Sequence, residues 1–402
     1  MVKVGIIREG KTPPDERVPF SPKQLVELEN KFPDVNVSVQ KSDVRRFTDS
    51  QFEDLGLNLT PNVEDCDILF GVKEVPIPQL IPNKTYFFFS HTIKKQPYNR
   101  KLLQAIIEKN ITLVDYECLV DQTGKRLVGF GRYAGIVGAY NALLAYGLKS
   151  KSYSLKPAYK CFDKNELENE LKKVSLPNVK FVLTGRGRVS QGAMEILDKA
   201  GIEQVSVHDY LNKSFNHAVY VQLAVTDYNK RLDGEKRDIF DFFENYSEYE
   251  SDFMRFAAVS DIYIACHFWK EGSPFIFTRE DAKKPNFNIE LVADISCDID
   301  GPVASTLRPS IIKKPLYGYD AENEKEVDFY STNAIGVMAV DNLPCELPKD
   351  ASTDFGEELM NNVILHLFGD DNQSIIKNAT IAKGRKLTER FSYLQNYLEG
   401  KE

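Results

Sequence analysis

The sequence predicts an α/β chain of two doubly wound (Rossmann-like) domains, each on a parallel sheet, around an inter-domain cleft. Three observations predict it. β-branched apolar runs alternate with amphipathic helical stretches along most of the chain. A length of 402 residues exceeds the size at which one hydrophobic core usually stops growing. An apolar run at 179–184 ends directly in GRGRVSQGAMEIL, giving strand, glycine turn and helix in succession.

The first domain is expected over residues 1–131, with the chain returning to it at about 345–402. Val2 to Ile7 is β-branched, and Ser21-Pro22 supplies an N-cap and a Pro at the first helical position for KQLVELENKF. Val35 to Val39, Ile68 to Val72, Tyr86 to Phe89 and Leu113 to Tyr116 read as further strands, with helices near 48–56 and 101–109 between them. Residues 132–149, RYAGIVGAYNALLAYGLK, are small and apolar over a length no strand needs, which predicts one long buried helix bridging the domains. The second domain, 132–344, continues with the strand before the glycine turn, a strand in QVSVHDY, and strands at 262–266, 291–295 and 335–340. Aromatic and charged text at about 212–256 predicts an insertion, and two helices close the chain from about Asp354.

The formal net charge of −8, with Lys and Arg scattered, removes the basic stripe that nucleic acid requires. Six cysteines without a CxxC pair argue against zinc ribbons and disulfide scaffolds and read as free thiols. His208, His217, His267 and His366 have no ligand-gathering spacing, so no metal is assigned. The opening MVKVGIIREG reads as a strand, and no run approaches the ~18 apolar residues of a membrane span, so a cytoplasmic protein with small-molecule partners is expected. Monomer and homo-oligomer stay equally open.

The glycine turn has a physical meaning. Gly185 permits the tight turn, Gly187 lets backbone approach a pyrophosphate, and the helix start at Arg188 and Val189 offers amides to the anion. A third glycine in the usual register would stand at Ser190, and the sequence has Gly192 instead. Asp209, about twenty residues on, is placed to accept ribose hydroxyls, which favours NAD. Arg186 and Arg188 beside the turn could pair with a 2′-phosphate, which keeps NADP open. Asp294 and Asp298 in LVADISCDIDGP, and Asn342 and Leu343 in VDNLP, follow strands and are candidates to touch the cofactor; solvated or strand-to-helix turns explain them nearly as well.

In the first half, Lys73 and Glu74 follow one strand and Ser90-His91 another, which aims Lys73 and His91 into one crevice at the carboxyl ends of a parallel sheet. A desolvated lysine and a histidine suit acid and base work, although a surface lysine beside a core histidine is the default for such a pair. Glu9 and Arg17 after the first strand, Glu117 after the strand at 113–116, and Arg126 in the next turn converge on the same edge, as a charged ligand would need.

GIIREGKTPPDERVPFSP, GVKEVP, FSHTIKKQ, DYECLVDQTGKRLVGFGRYAGIVGA, LTGRGRVSQGA, ADISCDIDGP and VDNLPCELPKDAS, in this order, resemble the alanine dehydrogenase and saccharopine dehydrogenase superfamily, most of all its lysine-2-oxoglutarate reductase branch. The resemblance implies interconversion of saccharopine with lysine plus 2-oxoglutarate, using NAD or NADP. It implies acid–base roles for Lys73 and His91, substrate carboxylates on Arg17 and Arg126, and a site lined by Glu74, Lys94, Gln96 and Glu117. An alanine dehydrogenase-like amino-acid dehydrogenase, or a non-catalytic nucleotide-binding homologue, is the alternative.

Overall fold

A computed structural model describes residues 1–236 and 238–401. They divide into two compact units, one made of 1–130 with 348–401 and the other of the described residues within 131–347.

Unit 1 carries six parallel strands: β1 (Val2–Ile6), β2 (Val35–Gln40), β3 (Asn58–Thr60), β4 (Ile68–Phe70), β5 (Thr85–Phe88) and β6 (Thr112–Asp115). They lie in the order β6-β5-β4-β1-β2-β3. The chain therefore winds to one side of β1 and then to the other, which puts the switch point between β1 and β4, where such sheets bind ligands. Helix α1 (Pro22–Lys31) starts as the sequence dictates, with Pro22 at its first position and the Ser21 amide donating to Gln24 Oε1 at 2.8 Å. The carboxy-terminal segment differs from two closing helices. Helices at Pro348–Asn362, Ile364–Phe368 and Ile375–Ala379 lead into a strand, Thr380–Lys383, which pairs antiparallel with β6 and with Lys386–Leu387. The sheet edge beside β6 supplies hydrogen bonds that make a strand of these few residues, a tertiary effect with no local periodicity to announce it.

Unit 2 begins with the predicted long helix, α2 (Gly131–Ser150), which belongs wholly to this unit rather than bridging the two. Its sheet comprises β7 (Lys180–Thr184), β8 (Glu203–Gln204), β9 (Val219–Leu223), β12 (Ile262–Ala265), β13 (Leu291–Asp294) and β16 (Ile335–Met338) in parallel, extended by the antiparallel pair β14 (Leu316–Asp320) and β15 (Lys325–Val327). The order is β15-β14-β16-β13-β12-β7-β9-β8, so the switch point falls at β7 and β12. Two expectations are corrected here. The stretch 212–256 is not all insertion, because VYVQL forms β9, paired with β7 along its length. The inserted part is the hairpin of β10 (Asn229–Arg231) and β11 (Tyr249–Ser251) with the short helix between them. Similarly, QVSVHDY is a two-residue strand followed by helix α4 (Val207–Asn212), since the Ser206 side chain caps Asp209 N and starts a helix where a strand was expected.

Helix α3 (Arg188–Lys199), following the glycine turn, lies unusually close to α2. A Cβ on Gly192 would stand 1.9 Å from the Arg132 carbonyl oxygen, and one on Gly135 would stand 1.8 Å from that of Val189. Gly192 thus serves helix packing and not a cofactor contact, which corrects its assignment. Gly192→Ala is expected to destabilise unit 2 by about 1–3 kcal/mol through overpacking. Chemical denaturation followed by circular dichroism measures it, and an unshifted midpoint would contradict this packing role.

Candidate functional site

Unit 1 gathers its chemistry at the carboxyl ends of β1, β4, β5 and β6. Glu9, just beyond β1, is buried, and its two carboxylate oxygens accept the amides of Val72 at 2.7 Å and Lys73 at 2.9 Å. Those two bonds fix the end of β4 and with it the backbone of Lys73. Burial, with the charge of Asp15, pushes the Glu9 carboxyl up to about 7 against the pull of the two amides. Burial lowers the Lys73 pKa from its ordinary value, and the Arg17 charge adds to the effect.

His91 sits in the left-handed region (φ 53°), a conformation non-glycine residues hold only where surroundings impose it. Asp115, fully buried, imposes it from the next strand: its Oδ2 accepts the Ser90 amide at 3.0 Å and the Ser90 hydroxyl, while Oδ1 accepts the Glu117 amide at 2.7 Å. One carboxylate thereby registers the two turns that carry His91 and Glu117. Burial pushes the Asp115 carboxyl up to about 6.

Glu117 Oε2 lies 3.1 Å from His91 Nδ1, and its Oε1 lies 3.4 Å from Arg126 Nη2 and 3.5 Å from Lys94 Nζ. Burial favours the neutral acid, but the bond to His91 and the charges of Lys94, His91 and Arg126 outweigh it and hold Glu117 at about 2. An ionised carboxylate only accepts, so His91 Nδ1 carries its hydrogen and Nε2 is the atom open to proton exchange. That Nε2 faces Glu74 Oε1 at 3.7 Å, and Glu74 Oε2 pairs with Lys11 Nζ at 2.7 Å.

Seven of the eight residues predicted for this site stand in or beside this cluster, one of them, Arg17, with an altered part. Arg17 is only 2% exposed, with Nε and Nη2 on the Asp15 carboxylate at 3.0 and 2.6 Å and its guanidinium 4.1 Å over the Phe130 ring. Its place is that of a buried partner to Asp15, whose carboxyl it holds at about 2 against burial. Arg126 and Lys94, with side chains about half exposed (50% and 47%), are the solvent-facing cations of the cluster. Gln96 is the eighth: it caps the helix Pro97–Glu108, is exposed, and bonds Tyr98 and Tyr397 instead of the cluster. Asp15 and Asp115 escaped sequence reasoning; their only signal was an acidic residue at or after a strand end.

In unit 2 a cavity of about 610 Å³ opens at the glycine turn. Gly185 has φ +101°, and a Cβ there would stand 2.6 Å from the Cys266 carbonyl oxygen, so turn and neighbouring strand demand glycine. Around Gly187 there is open space, and α3 begins directly after it, with the first-turn amides that helices leave without intrahelical acceptors. These features fit a pyrophosphate. Arg188, Val189 and Asp298 line the same cavity, together with Arg186, His267 and Trp269. Burial pushes His267 down to about 4; its Nδ1 is 2.9 Å from Thr184 Oγ1.

Four further cofactor candidates lie elsewhere. Asp209 is on α4, paired with Lys213 at 3.0 Å, and the adjacent Tyr210 carbonyl accepts from Lys180, the first residue of β7, so Asp209 stands near the amino end of the sheet, opposite the glycine turn. The strand beside β7 is β9, and the carboxylate after it is Asp227, 3.9 Å from Arg186 Nη2. Leu343 is buried, within 3.3 Å of a Cβ placed on Gly138, and Asn342 accepts the Cys345 amide at 3.0 Å; neither lines the cavity. Asp294 is a turn anchor, accepting from Ser296, Cys297 and Thr306. Among the described residues no cluster of His, Cys, Asp or Glu could hold a metal ion, and no helix is long and apolar enough to cross a membrane.

Residues 5–137 match the alanine dehydrogenase/PNT N-terminal domain. The mitochondrial alpha-aminoadipic semialdehyde synthase of Bos taurus is 28% identical over 96% of this chain and 47% of its own length, so the chain spans about half of that relative. The saccharopine dehydrogenase (NAD+, L-lysine-forming) of Neurospora crassa is 26% identical over 82% of each chain. Over residues 5–137 by family model, and over most of its length by relatives under 30% identical, the chain is similar to the alanine dehydrogenase and saccharopine dehydrogenase superfamily. A solved L-alanine dehydrogenase superposes with a TM-score of 0.66 at 14% identity, covering 99% of this chain and all of that one, and shares the fold.

Proposed function

We propose that the chain is a nicotinamide-dependent oxidoreductase interconverting saccharopine with lysine and 2-oxoglutarate. The observation that carries the reading is the His91–Glu117 pair, with Lys73 and Glu74, at the carboxyl ends of one doubly wound sheet. Its chemistry is what imine formation needs. The lysine ε-amine attacks the keto carbon, and the carbinolamine must lose water with a proton from an acid. His91 Nε2 supplies that proton, because Glu117 holds the ring by Nδ1 and stabilises the imidazolium. Lys73, desolvated, takes the proton that the amine releases. Arg126 and Lys94 receive substrate carboxylates. When bound, the nicotinamide accepts or supplies the hydride. NAD is favoured over NADP, since Asp227 after β9 suits ribose hydroxyls and repels a 2′-phosphate.

The test follows nicotinamide absorbance at 340 nm. Wild-type protein is expected to oxidise NADH with lysine plus 2-oxoglutarate, and not with pyruvate plus ammonium. Oxidation only with the second pair would move the chain to the alanine branch, and tight dinucleotide binding without oxidation of either would make it a non-catalytic homologue.

A further inference from the structure

The inserted helix α5 (Ile239–Glu244) is fastened to its hairpin on one side and left open on the other. Asp238 caps it, accepting the amides of Phe240 at 2.9 Å and Asp241 at 3.1 Å. Asp241 in turn accepts the Tyr249 hydroxyl at 2.5 Å and pairs with Arg231, which also holds Glu248. Phe242 is buried edge-on against Tyr249, ring centroids 5.1 Å apart. Residues 241 and 242 thus form the anchored face. Ile239 and Phe243, four residues apart, share another face. They stay 43% and 49% exposed, and both line the cavity of the glycine turn.

We propose that α5 is the base-binding wall of this cavity, holding the adenine ring of the dinucleotide against Ile239 and Phe243. The inference rests on the dinucleotide reading above. The cavity has a phosphate-cradling turn at Gly185–Gly187 and an apolar, partly aromatic wall on the insertion. A ligand that uses both is anionic at one point and flat and apolar at another. A nucleotide has that shape, whereas a free phosphate or an amino acid leaves the wall unused. Exposed apolar side chains that a ligand covers also explain why a six-residue helix, with Arg231 spending its guanidinium on three carboxylates, is held rigidly at the mouth of the site.

Trp269, the sole tryptophan, lines the same cavity and reports binding by its fluorescence. Wild type and variants are titrated with NADH, with ADP-ribose, which keeps the adenine half, and with reduced nicotinamide mononucleotide, which lacks it. Phe243→Ala is expected to raise the Kd of NADH and ADP-ribose about tenfold, the order of one base–aromatic stack, and to leave the mononucleotide unchanged. Phe243→Tyr should restore most of the affinity, and Ile239→Ala should weaken the same two ligands. Phe240→Ala, 78% exposed and outside the cavity, should change nothing. An unchanged NADH Kd in both Phe243→Ala and Ile239→Ala, or equal weakening of the mononucleotide, overturns the proposal. Wild type that binds neither NADH nor NADPH would instead remove the dinucleotide reading itself.

Discussion

Lys73→Met is expected to lower turnover by about 10²–10⁴-fold, the usual worth of a positioned acid–base group, with dinucleotide affinity unchanged. Affinity is spared because the turn and cavity that hold the dinucleotide are built from unit 2 residues alone. The pH profile gives a second readout. Burial and Arg17 depress the Lys73 pKa, so a larger fraction of its amine is neutral near physiological pH than for a free lysine. In the condensing direction, where lysine and 2-oxoglutarate combine, Lys73 accepts a proton from the attacking amine, and the rate should rise with pH through that depressed pKa. The limb should vanish in Lys73→Met. An intact limb, or an unchanged rate, would reassign the base to another residue. His91 is the control: its Nε2 acts through an imidazole held by an ionised Glu117, so Glu117→Gln should weaken acid catalysis without removing the lysine limb.

Much of unit 1 could be read from sequence because each site residue follows an apolar run by one or two positions. Lys73, His91 and Glu117 come two or three residues after the ends of β4, β5 and β6, and a parallel sheet puts all such positions on one edge. What could not be read was who holds them. Asp115 acts through hydrogen bonds to the turn after the neighbouring strand, and Asp15 through bonds to Arg17 two residues on, and neither kind of bond leaves a periodicity. The Arg17 assignment changed for the same reason, since an arginine looks alike in sequence whether its fork meets a substrate or a neighbouring aspartate. In unit 2 the error at Asp209 had one cause. Counting about twenty residues past the glycine turn assumes that the next strand in sequence is the neighbour in space, and here β8 lies at the edge while β9 takes the inner position. The first carboxylate after the inner strand β9 is Asp227.

Gly185 and Gly187 should respond to alanine in opposite ways, which separates folding from binding. Alanine at 185 must adopt φ near +101° and bring its Cβ to 2.6 Å from the Cys266 carbonyl oxygen, backbone that cannot swing aside. Strain and overpacking together are expected to cost unit 2 about 2–4 kcal/mol, and dinucleotide binding should be lost with them. At 187 the backbone is extended (φ −88°, ψ −169°), a conformation any residue adopts, and a Cβ meets no protein atom within 4 Å. Gly187→Ala should therefore leave stability within about 0.5 kcal/mol of wild type. Its methyl group would occupy the space through which backbone approaches a phosphate, and the NADH Kd should rise about tenfold or more, equivalent to roughly 1.4 kcal/mol. Denaturation of the ligand-free proteins and fluorescence titration measure the two effects independently. A Gly187→Ala protein that binds NADH as wild type does would move the pyrophosphate away from this turn, because the open space at Gly187 is the feature that reserves a place for it.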